Sequence, residues 1–175
     1  MIAGNRCKPV FMYQFRPLMN DRRAPDGGFC ILIYENCILS FSTYDVSGAF
    51  LDEVCFVLPS RVIQYFHALV ESAGSWLPAC PCDLRAASVT PYASSFAFDG
   101  YDPVRVWGIN ALLNEPTGSE AGFFARHLYV LFEDICNLLR ENGIRMSLDG
   151  FTWDPHRVRS FRKKQMYYSG RQGVV

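Results

Sequence analysis

Hydrophobic positions along this chain fall into two periods. The runs Phe29-Cys30-Ile31-Leu32-Ile33-Tyr34 and Cys37-Ile38-Leu39-Ser40-Phe41-Ser42-Thr43-Tyr44 flank Glu35-Asn36, where Asn tolerates positive φ. This predicts a β-hairpin with a two-residue loop that pairs Tyr34 with Cys37, Leu32 with Leu39 and Cys30 with Phe41. Side chains alternate across a strand, so these six share one wholly apolar face. The other face carries Phe29, Ile31, Ile33 and Ile38 and then Ser40 and Ser42, which predicts cover on both sides near the turn. Further strands are predicted at 9–15, 53–58, 94–98 and 104–110, the last two joined by Asp99-Gly100 turn chemistry.

The second period is helical. Val62, Ile63, Phe66, Leu69 and Val70 form a buried stripe over 60–73, with Pro59 before it and Gly74 after it. A longer helix is predicted over 119–142. Phe124, Leu128, Leu131, Phe132, Ile135, Leu138 and Leu139 make its apolar face, and Gly143 is its stop signal. Residues 144–148 add a short strand, and 74–91, with Pro78, Pro81 and Pro91, reads as a long irregular connection. The expected fold is α+β, a mostly antiparallel sheet of about five to seven strands with two main helices on one face and a basic C-terminal arm. Residues 1–154 form the expected domain, and 155–175 the arm, as part of it or as a tail.

Composition supports a packed core, because half of the 175 residues are hydrophobic and 15% are aromatic. The longest apolar run, Phe29 to Tyr34, is far short of the ~20 residues that cross a bilayer, and no apolar segment follows the first residues as in a secretion signal. The expectation is a soluble protein away from membranes. Seven cysteines, an odd number scattered from Cys7 to Cys136, suit free thiols in a reducing cytoplasm better than a disulfide framework.

Charge changes the picture more than composition does. The formal net charge is zero, yet it is segregated. Residues 27–154 hold six basic and fifteen acidic side chains, whereas no acidic residue follows Asp154. An acidic body therefore carries basic ends, which is a statement about fields and partners. Asp154-Pro155 reads as a helix start, and a helix over 156–168 would bring Val158 near Phe161 and spread cations around the rest. Arg157, Arg159, Arg162, Lys163, Lys164 and Arg171 supply the charge. Phe161, Tyr167 and Tyr168 interleave with them, and Trp153 stands just before them as an interface aromatic.

Other chemistry is thinly represented. Cys80 and Cys82, beside Asp83 and Arg85, are the candidate reactive thiols, but C-P-C lacks the C-x-x-C spacing. His67, His127 and His156 have no ligand partner at helical spacing, so no metal or cofactor is expected. Gly27-Gly28 precedes a strand and reads as a turn rather than a phosphate loop.

The leading expectation is a non-enzymatic binding protein of inhibitor, immunity, adaptor or accessory-subunit type. Its basic arm, with Trp153, would engage a protein or nucleoprotein with an acidic surface. Direct nucleic-acid binding by the same arm is the first alternative, and a small thiol enzyme using Cys80 or Cys82 is the second. The sequence leaves the oligomeric state open.

Overall fold

A computed structural model describes residues 7–17, 27–87, 92–116 and 118–162. The predicted periods appear as β1 (Pro9–Pro17), β2 (Phe29–Tyr34), β3 (Ile38–Tyr44), β4 (Phe50–Val57) and α1 (Ser60–Ser72). Two single 3-10 turns and β5 (Asp83–Arg85) follow, then β6 (Tyr92–Phe98), β7 (Val104–Trp107) and α2 (Ile109–Leu113). The chain continues through α3 (Glu120–Glu141), β8 (Ile144–Met146), β9 (Phe151–Trp153) and β10 (Ser160–Arg162). The long helix begins within one residue of its expected start. Ser119 accepts a hydrogen bond from the Gly122 N–H at 3.1 Å, and Glu120 and Arg140 complement the helix dipole at opposite ends.

The main sheet has eight strands in the order β10-β4-β3-β2-β1-β6-β7-β5. Each neighbouring pair is antiparallel except β5 with β7. Both long helices cover one face of it. Phe66 of α1 meets Phe11 at 5.6 Å between ring centroids, and Phe132 of α3 meets Tyr13 at 4.7 Å. Phe11 and Tyr13 are two apart on β1 and so point the same way. The ribbon β8–β9 lies on this same face, with Phe151 stacked on Phe41 at 4.3 Å. Tyr13 is fully buried, and its hydroxyl donates to the Leu148 carbonyl at 2.6 Å and shares a hydrogen bond with Ser94. A buried phenol without such partners would be costly.

The strand count exceeds the expected five to seven. The surplus lies in three-residue pieces, β5, β9 and β10, which are too short to show a period and form because a neighbouring edge offers backbone partners. β5 falls inside the stretch read as irregular. The strand expected over 104–110 stops at Trp107, because Gly108 turns at φ 69° and α2 begins.

The hairpin also differs from expectation, by one residue of register. Cys37 adopts φ 64°, and its N–H bonds the Tyr34 carbonyl at 3.1 Å. The loop is therefore three residues, a turn closed by a left-handed residue. The pairs become Ile33 with Leu39, Ile31 with Phe41 and Phe29 with Thr43. A one-residue slip exchanges faces. Phe29, Ile31, Ile33, Leu39 and Phe41 now face the helices, while Cys30, Leu32, Ser40 and Ser42 face away. Burying the larger side chains under the helices outweighs the strain of one left-handed cysteine. Cys37→Gly should leave stability unchanged or raise it by up to about 1 kcal/mol, whereas Cys37→Val should lower it by about 1–2 kcal/mol. Urea midpoints in the order Gly, Cys, Val would match this loop, and the reverse order would refute it.

The arm shows the largest departure. The start signal is real: Asp154 Oδ1 accepts from the His156 N–H at 2.9 Å, and the Asp154 carbonyl accepts from Arg157 and Val158. The turn goes no further. Val158 is buried, and Ser160–Arg162 pairs antiparallel with β4, placing Phe161 opposite Cys55. The helix expected over 156–168 is thus replaced through Arg162 by a turn and a strand. The open edge of β4 supplies hydrogen bonds that a solvent-exposed helix would have to make alone.

Candidate functional site

The end of α3 builds a strongly charged concavity. Gly143, at φ 85°, stops the helix and donates its N–H to the Arg140 carbonyl at 3.1 Å. The chain then reverses into β8–β9, where Arg145 pairs with Thr152 and Ile144 with Trp153. The Gly143 carbonyl accepts from the Asp154 N–H at 2.9 Å, which ties the following turn to the helix end. That turn brings Arg157 back, and its guanidinium donates to the Glu141 carbonyl at 2.8 Å. A cation there also suits the negative end of the helix. A pocket of about 270 Å³ results, lined by Arg140, Gly143, Arg145, Thr152, Trp153, Asp154 and Arg157.

Three arginines and one aspartate therefore line a single small cavity. Three cations elsewhere among the described residues are ion-paired, Lys8 with Asp99, Arg85 with Asp83 and Arg162 with Asp52, while Arg126 donates to the Glu115 carbonyl and Arg105 lies over the Trp107 ring. Among the described residues Arg140, Arg145 and Arg157 have no such salt bridge. Asp154 is turned to the His156 N–H. Trp153 supplies an apolar wall and is itself held edge-on against Phe56 at 5.2 Å. Planar guanidinium forks in this arrangement can hold an anion through several charge-assisted hydrogen bonds.

At the other end of the ribbon lies a cavity of opposite character. About 300 Å³ in volume, it includes Phe15, Tyr92, Tyr129, Glu133 and Asp149 in its lining. Burial raises the Tyr92 phenol above its ordinary value, and the Asp149 charge adds to this. The ribbon thus separates a basic pocket at its base from an acidic one at its tip.

The residues singled out in the sequence divide between these places. Trp153 and Arg157 line the basic pocket. Arg159 gives its carbonyl to the Val57 N–H, and Phe161 and Arg162 lie on β10. The Arg162–Asp52 pair is 3.2 Å long and largely exposed, so it contributes little, on the order of 0–1 kcal/mol. It does show part of the basic arm resting on the acidic body. Lys163, Lys164, Tyr167, Tyr168 and Arg171 lie outside the described residues.

Arg140 and Arg145 were missed. They fall within the acidic stretch, where a sum along the chain hides them, although each is close in sequence to the Gly143 stop signal. Cys80 is buried, which pushes its thiol up to about 11, so it is a poor nucleophile at neutral pH. Cys82 is exposed, and all seven cysteines are unbridged. No group of three or more His, Cys, Asp or Glu among the described residues is placed to hold a metal ion. No described helix is long and apolar enough to cross a membrane.

In class the molecule is an α+β protein with an arginine-lined pocket between the end of α3 and the turn after β9. No protein-family model matches the chain, and no curated protein matches it.

Proposed function

We propose that the protein acts by binding, without chemistry of its own, and that it engages an acidic protein or nucleoprotein partner through its basic C-terminal region. The observation that carries this reading is the convergence of Arg157, the first cation of the arm, with Arg140 and Arg145 in one pocket lacking salt bridges among the described residues. Guanidinium groups held without a carboxylate partner are available to another molecule's anion. Trp153 places a large aromatic beside them, as at the centre of many interfaces. The unbridged cysteines accord with a cytoplasmic setting.

The experiment compares capture of partners by the full chain, by Arg140→Gln/Arg145→Gln, and by a chain ending at Arg162. The double variant should lose more than about tenfold in affinity for the captured partner, the loss expected for charge-assisted hydrogen bonds. Unchanged capture by the double variant would overturn the role of the pocket. If only the shortened chain loses its partner, binding belongs to 163–175 instead. If nucleic acid is recovered and salt releases it, the nucleic-acid alternative replaces the protein one.

A further inference from the structure

We propose that the arginine pocket recognises a phosphate monoester in its dianionic form, carried on a side chain of a partner protein. This deepens the binding function proposed above and rests on it. Charge counting is the first support. Arg140, Arg145 and Arg157 against Asp154 give the lining a formal charge of +2, which the negative end of α3 lowers by about half a charge. A carboxylate or an internal phosphodiester brings one negative charge and leaves a surplus. A phosphate monoester brings between about 1.5 and 2 near neutral pH and closes the balance.

Donor geometry is the second. Each guanidinium presents five N–H groups in a fixed fork, and a phosphoryl group offers three terminal oxygens. Arg157 uses one nitrogen on the Glu141 carbonyl, which fixes its head while leaving other donors free. Gly143 makes this placement possible. A Cβ on Gly143 would stand 2.8 Å from the Arg157 Cβ, closer than two carbons approach, so any other residue would push Arg157 away.

The carrier follows from the surroundings. A polyanion would approach a stretch, Gly27 to Asp154, that holds six basic and fifteen acidic residues, and long-range repulsion opposes it. A single phosphorylated side chain meets the local field of the pocket before that of the body. Trp153 offers an apolar wall for the carbons that bear the phosphate. A phosphorylated protein is therefore favoured over nucleic acid.

The test is calorimetric titration of the full chain with defined probes: N-acetyl-phosphoserine amide, N-acetyl-phosphotyrosine amide, inorganic phosphate, dimethyl phosphate, acetate and a short oligonucleotide without terminal phosphate. One of the two phosphoamino-acid amides should bind at least about tenfold more tightly than dimethyl phosphate or acetate. Arg145→Gln should weaken it about tenfold or more, while Arg85→Gln, which removes a guanidinium paired with Asp83, should not. Unchanged circular dichroism confirms that the variants are folded, and Arg145→Lys should rescue only in part, because an ammonium lacks the fork.

Saturable binding of neither amide, or binding indifferent to Arg145→Gln, would overturn the proposal. Inorganic phosphate binding as tightly as both amides would make this a free-phosphate site and remove the partner side chain. Tighter binding of the oligonucleotide would move the ligand to nucleic acid. Phosphatase treatment of the captured partner separates this inference from the broader one. Capture that needs Arg140 and Arg145 but survives phosphatase leaves the binding function standing and ends the phosphate proposal.

Discussion

Replacing Phe132 by alanine is expected to lower the free energy of unfolding by about 3–5 kcal/mol, the range for large aromatic truncations in a core. Phe132 is fully buried on α3, where its ring lies 4.7 Å from that of Tyr13 and 5.7 Å from that of Phe96. It joins the long helix to adjacent strands of the sheet. Truncation would remove the apolar transfer energy and leave a cavity between elements that cannot close up without moving β1. Tyr13 would suffer too, since its hydroxyl bonds to Ser94 and Leu148 depend on the ring being held in place. Against a total of about 5–15 kcal/mol for an ordinary domain, the loss is large enough to leave some molecules unfolded. Urea unfolding reads it as a lower midpoint at constant slope. If alanine yields too little folded protein, Phe132→Leu should still lower the midpoint by a smaller step. A neutral result for both would place Phe132 outside the core.

Gly143→Ala carries the second large effect, because it strikes the fold and the pocket together. The backbone there is left-handed, at φ 85°, which costs a side-chain-bearing residue about 1–2 kcal/mol. The added methyl would also meet the Arg157 Cβ at 2.8 Å. The expected loss is about 1–3 kcal/mol in urea unfolding, with weaker anion binding because Arg157 is displaced. Arg157→Gly in the same chain should recover the steric part of the stability loss and none of the binding. That non-additivity is the signature of a direct contact. Wild-type stability and binding in Gly143→Ala would show that the helix stop does not shape the pocket.

The charged site shows why patterns along a chain read the gathering of charge in space poorly. Segregation of charge points to the C-terminal region, and of the residues it singles out Trp153 and Arg157 line the pocket. Yet Arg140 belongs to the last turn of a helix and Arg145 to a short strand, and both lie among acidic neighbours in sequence. Only the reversal at Gly143 and the turn after β9 bring them beside Arg157. Arg162, an equal candidate in sequence, instead reaches Asp52 on the sheet edge.

Local chemistry in the sequence was enough to determine the two long helices, the Gly143 stop of α3, the core stripes through Phe66 and Phe132, and the α+β class. Those features depend on neighbours within a turn or two, where periodicity and capping act directly. Tertiary structure decided the rest. The hairpin register turned on one residue, Cys37, because its left-handed backbone lets Phe29, Ile31 and Ile33 face the helices. The arm followed a good helix-start signal for one turn and then became a strand, because β4 offered it unpaired backbone groups and buried Val158 held it there. Register, edge pairing and the gathering of cations are all set by partners distant in sequence, and the free energy of those contacts outweighs the local preference.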